Sequence, residues 1–178
     1  MRGWRAAVGL ALAASYAPAV ALAQDDTTAA VEAFYGACVA QGPDFDRTVA
    51  ASKLFGWKAL PAEMKTIVGP AGPTEAFEGW LAVGNPFPPK TVVGISKARD
   101  NGKPVHVCTL AFMDADGAAV ERQFLSRMKP KKVGEESDGM QAFRVYTLTA
   151  GVSNKPQMIT VTVPFQGPGI VLGSIMQK

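Results

Sequence analysis

The chain has 178 residues, among them 18 basic and 15 acidic side chains, a single histidine and two cysteines, and its formal net charge is +3. Arg2 and Arg5 sit in an apolar leader while every acidic residue lies beyond it, so without that leader the net charge falls to +1. Recognition of nucleic acid or an anionic surface draws on concentrated positive charge, and a chain so near neutrality gives no sign of it.

The leader is residues 1–23. A basic start, MRGWR, runs into a long apolar stretch that ends in small residues, Ala21 and Ala23, before Gln24. This is the pattern of a cleavable secretory signal, and it predicts a periplasmic or secreted protein. No cysteine stands at the cleavage point to carry a lipid. No later stretch reaches the roughly 18 to 20 unbroken apolar residues that a spanning helix needs, so no membrane span is expected after cleavage. Residues 24–178 are enough for one domain with a sizeable core and too few for two.

From Asp26 or Thr27, which can cap a helix with a side-chain oxygen, Val31, Phe34, Tyr35 and Cys38 recur at the spacing of one buried helical face. Gly42 and Pro43 stop that helix, and a second begins at Asp44 with Val49, Leu54 and Trp57 as its expected buried positions. Pro61 suits the first turn of a third, short helix, where its missing N–H costs nothing. After two proline- and glycine-rich stretches, residues 69–73 and 84–89, that bracket an expected strand at 74–83, the period changes to two. The runs 91–98 and 105–113 flank Asn101 and Gly102, a pair suited to the positive φ angles of a tight hairpin. A helix follows at 117–128, with Val120, Phe124 and Met128 on one side. Lys129, Lys131, Lys132, Glu135, Glu136 and Asp138 then read as a self-compensating solvated loop. Two more strands span 140–150 and 157–165, and the apolar tail docks as a last edge strand.

This order predicts an α+β fold: an antiparallel sheet of about five strands, with two or three N-terminal helices and one inserted helix packed on one face. The opposite face would stay wet and carry Thr147, Thr149, Thr160 and Thr162. Cys38 on a helix and Cys108 on a strand both point inward, and two cysteines in an exported chain are most simply one disulfide.

The chemistry-bearing residues are few. His106 precedes Cys108 by two positions and shares its strand face, the one arrangement from which a thiol-dependent enzyme or hydrolase could be built. A disulfide at Cys108 removes the nucleophile, and no serine pattern offers a substitute. As metal ligands, Cys38, His106 and Cys108 lack any CxxC or HxxxH spacing, so no metal site is expected. Asp114 and Asp116 open like a calcium loop, but Ala118 and Leu125 stand where its later ligands belong. No phosphate-cradling or dinucleotide-binding glycine motif is present, and no cofactor is expected. The expectation is therefore an exported, non-enzymatic domain that binds a protein or envelope ligand through the open sheet face and loops, with His106, Trp57, Trp80 and Phe87 as its surface. The alternatives are an enzyme using His106 and a carrier with an apolar pocket between helices and sheet.

Overall fold

The computed structural model describes residues 19–70, 72–152 and 154–177, with side chains from Asp26 onward. Of the expected signal, residues 1–18 lie outside the described residues, and 19–23 open the first helix.

That helix, α1 (Ala19–Phe34), continues as one π-helical turn, Tyr35–Val39. Next come α2 (Phe45–Leu54), β1 (Lys58–Ala59), a short 3-10 turn leading into α3 (Lys65–Val68), β2 (Thr74–Ala82), β3 (Thr91–Asp100) and β4 (Lys103–Phe112). The second half is α4 (Gly117–Met128), β5 (Lys131–Ser137), β6 (Gln141–Thr149), β7 (Pro156–Pro164) and β8 (Ile170–Gln177). The strands form one antiparallel sheet in the order β1-β2-β3-β4-β8-β7-β6-β5. The first half joins α1, α2 and α3 to the four neighbouring strands β1–β4, the second joins α4 to β5–β8, and the last strands of the two halves pair antiparallel at the centre. The strand order of the second half thus mirrors that of the first about the β4–β8 pair.

The sheet has eight strands rather than about five. β1 is a two-residue bridge, too short to carry a period. β5 reads as a loop because its seven residues hold one large apolar side chain, Val133, and an outermost strand with wet surroundings needs no alternation. β8 is central rather than an edge, because Ile170, Leu172 and Met176 face one side while Val171 and Ile175 face the other. A strand apolar on both sides fits between two neighbours better than at a rim.

Nor do all helices lie on one face. α1, α2 and α4 cover one side, over Val93, Ile95, Leu110, Phe112, Ile159 and Leu172. Leu60, Met64, Ile67 and Val68, around α3, pack on the other side against Phe77, Val92 and Ala111. Residues 91–96 are consequently buried without interruption. Gly94 permits this approach, since a Cβ there would lie 2.8 Å from the Val68 carbonyl oxygen.

Local signals account for much of the rest. Asn101 and Gly102 take φ of 49° and 77°, as the hairpin requires. Val31 and Phe34 of α1 and Cys38 of the π turn are fully buried on the predicted face, and Tyr35, the fourth residue of that face, is half-buried. Leu54, in contrast, is 79% exposed. Its expected burial depends on carrying a helical period through Gly56, whose φ of +66° ends the helix and sends Trp57 elsewhere.

Cys38 and Cys108 form a disulfide with Cα atoms 5.5 Å apart, which fastens the π turn to the middle of the sheet. A buried polar relay supports the same joint. The Gln157 amide donates to the Val39 carbonyl at 2.9 Å, and the Ser174 hydroxyl donates to the Gln157 carbonyl oxygen at 2.7 Å. Ser174 stands directly opposite Cys108 in the β4–β8 ladder.

Candidate functional site

The ladder places His106 and Cys108 on one face of β4, as their spacing implies, but it gives them separate tasks. Cys108 is in the disulfide, so its sulfur has no thiolate to offer. His106 lies beneath the N-terminus of α2, where its Nδ1 accepts the Phe45 N–H at 3.2 Å. Asp44 accepts the Arg47 N–H at 3.0 Å, so strand and cap residue share the unpaired donors of that helix end. Lys97, opposite His106 in β3, completes the joint by pairing with Asp46 at 3.2 Å and lying 4.7 Å from the Phe45 ring centre. Among the described residues no group of three or more His, Cys, Asp or Glu is placed to hold a metal ion.

Trp57, Trp80 and Phe87, drawn from three separate segments, do meet. Trp57 lies 6.2 Å from Trp80 and 5.1 Å, edge-on, from Phe87, measured between ring centres. Phe55, which the sequence does not single out, stacks on Trp57 at 6.3 Å. Trp80 is seated by the β1–β2 bridge opposite Ala59. The loop that carries Phe87 is braced by the Thr91 hydroxyl, which donates to the Pro88 carbonyl at 2.6 Å. Phe55 remains 61% exposed beside Leu54, so the cluster is buried at Trp80 and open at its rim. Trp57 Nε1 is the one buried side-chain nitrogen or oxygen among the described residues without a hydrogen-bond partner. His106 does not join this group. Trp80 pairs with Val93 and thus sits level with Leu110, four positions along β4 from His106, roughly 13 Å at strand rise.

A polar cluster lies at the far side of the same sheet face. Arg144 bridges Glu121 at 2.7 Å and Glu135 at 2.9 Å, Tyr146 donates its hydroxyl to Glu121 at 3.2 Å, and Lys132 also pairs with Glu135. Hydrogen bonds from Lys132 and Arg144 hold the Glu135 carboxyl below its ordinary range. Burial, followed by the charge of Glu121, pushes the Tyr146 phenol up to about 12. The folded chain therefore keeps this proton where the unfolded chain has lost it. Its stabilising effect is complete below about pH 10 and is lost as pH rises through about 12, with an upper size of about 2 to 3 kcal/mol. Denaturant midpoints measured across that alkaline range should fall more steeply for the parent chain than for Tyr146→Phe, and equal slopes would remove Tyr146 from the account.

A cleft of about 850 Å³ opens where α1 meets α4, lined by Asp26, Asp114, Asp116, Arg122 and Phe112 among others. Its rim is charged, and Asp114 and Asp116 already have local partners. Asp116 caps α4 by accepting the Ala119 N–H at 3.0 Å, and Asp114 pairs with Lys90 at 2.7 Å. Asp116 thus ends the turn that leads into α4.

The second sheet face is divided. α3 and its flanks cover β2, β3 and part of β4, and among the described residues no helix lies over β6 and β7. Thr147, Thr149, Thr160 and Thr162 share that uncovered side with Phe143 and Val145, opposite the buried Tyr146 and Ile159. No protein-family model, curated protein or solved structure matches this chain at a significant level, so the geometry of these surfaces is what bears on function.

Proposed function

We propose that the chain is an exported, non-enzymatic binding domain, periplasmic or secreted, that holds a protein or envelope partner on the aromatic cluster around Trp57. A disulfide suits an oxidising compartment, and the leader composition supports export. The observation that carries the reading is the pair Leu54 and Phe55, adjacent large apolar side chains left 79% and 61% exposed, with Phe55 stacked on Trp57. Aromatic anchors backed by a rigid loop are what binding hot spots consist of. The uncovered threonine face over β6 and β7 favours a second reading, in which the partner lies on the sheet.

The two surfaces are on opposite faces, so they can be told apart. Leu54→Ser with Phe55→Ser disables the first surface, and Thr162→Arg the second; all three positions have solvent in reach and should change stability by about 0.5 kcal/mol or less. In affinity capture from envelope extract, the parent and Thr162→Arg chains are expected to retain a common partner that the Leu54/Phe55 variant loses. Loss in Thr162→Arg alone moves the site to the sheet face. Retention by every variant overturns both readings.

A further inference from the structure

β5 is the outer edge of the second half, and only β6 pairs with it. An unpaired strand edge offers its N–H and C=O groups to another chain, and proteins usually blunt such edges with lysines and bulges. β5 has both, in a self-complementary order.

Val133 is the extra residue of a β-bulge, since Lys131, Lys132, Gly134, Glu135 and Glu136 pair in turn with Thr147, Tyr146, Val145, Arg144 and Phe143. With Val133 looped out, Lys131, Gly134 and Glu136 share one face, and Lys132 and Glu135 share the other. Two β5 strands laid antiparallel about a twofold axis at Gly134 then place Lys131 opposite Glu136 of the second copy on one face. On the other face Lys132 meets Glu135 of the second copy, and each pair occurs twice. Without the bulge, Lys131 and Glu136 would point to opposite faces and could not meet. Sliding the register by two residues either way sets Lys132 against Lys132 or Glu135 against Glu135, and a parallel arrangement aligns like charges throughout. Gly134 leaves the axis without a side chain, and Val133, 54% exposed, flanks it.

We propose that the protein forms a twofold dimer through β5, joining two eight-stranded sheets edge to edge. This is independent of which surface holds the partner. A seven-residue strand pair is shorter than a standard interface, so the dimer is weak and depends on concentration and salt.

Glu135 is already engaged by Lys132 and Arg144 within its own chain, whereas Lys131 and Glu136 take part in no ion pair among the described residues. Lys131→Glu and Glu136→Lys therefore report on the interface without disturbing the fold, which circular dichroism can verify. Sedimentation velocity of the full, disulfide-bonded chain at low salt, up to about 1 mM, the weak end of specific association, should show a monomer–dimer equilibrium. Each single variant should raise its dissociation constant by about tenfold or more, because two attractive pairs become repulsive. An equimolar mixture of the two variants should dimerise again, since the carboxylate introduced at position 131 of one chain then faces the ammonium introduced at position 136 of the other. A parent chain that stays monomeric throughout, a dimer that persists in both single variants, or a mixture that stays monomeric would each overturn the proposal.

Discussion

Replacing Cys38 and Cys108 together by alanine is expected to cost about 4 kcal/mol of stability, the loop-closure value for the 70-residue separation between them. For a chain of this size that lowers the melting temperature by about 8 to 16 °C. The bond ties the π turn after α1 to β4, so its loss widens the unfolded ensemble while the Gln157 relay and the Phe34–Phe124 contact still hold α1 in place. Reduction of the parent chain should reproduce the shift, and reductant should leave the double variant unchanged. A melting temperature indifferent to reductant in the parent would show that the bond contributes nothing.

Phe124→Ala should cost about as much, 3 to 5 kcal/mol, through a cavity rather than chain entropy. Phe124 is fully buried where α4 lies between α1 and the sheet. Its ring meets Phe34 edge-on at 5.9 Å and Tyr146 at 6.3 Å, so one side chain joins three elements. Guanidinium unfolding measures the loss. A second readout follows from burial being the first cause of the raised Tyr146 pKa. Water entering the vacated space should bring the phenol from about 12 back toward its ordinary value, visible in the ultraviolet absorbance of tyrosinate. Unchanged titration together with near-parent stability would mean that the three elements do not depend on this ring.

The parts of the fold legible in the sequence are those set by neighbours along the chain. Val31, Phe34 and Cys38 announce the buried face of α1 by spacing, Asn101 and Gly102 announce the hairpin through their backbone preference, and two cysteines of inward-facing elements announce their pairing. Features set by distant partners are not legible. β5 is a strand because β6 offers it a ladder and because Arg144 and Lys132 meet Glu135, none of which an alternation count detects. The tail is central because the two halves need a joining strand, and Ile170–Gln177 is apolar enough on both sides to serve. α3 lies on the second face because Gly94 leaves room for Val68, a fit visible only once β3 is in place.

The candidate surfaces divide in the same way. Trp57, Trp80 and Phe87 can be named individually, but their meeting depends on the β1–β2 bridge and the braced loop before β3. Phe55 escapes notice because nothing in its neighbourhood distinguishes a core ring from a rim ring; Gly56 immediately after it is the available sign that the helix ends there. His106 draws the eye to Cys108 because both stand in one short stretch. Its actual partner, the Phe45 N–H, lies 61 positions away, so sequence proximity suggests chemistry where the structure shows a helix cap.

One bond consumes both sulfurs, and the imidazole two residues from Cys108 caps α2 instead of facing a thiol. Peptide mapping of the chain, digested under denaturing, non-reducing conditions with an alkylating reagent present, tests this most directly. A single cross-linked species joining the Cys38 and Cys108 peptides, with no alkylated cysteine, is the expected result. Recovery of both peptides separately, each alkylated, would contradict it.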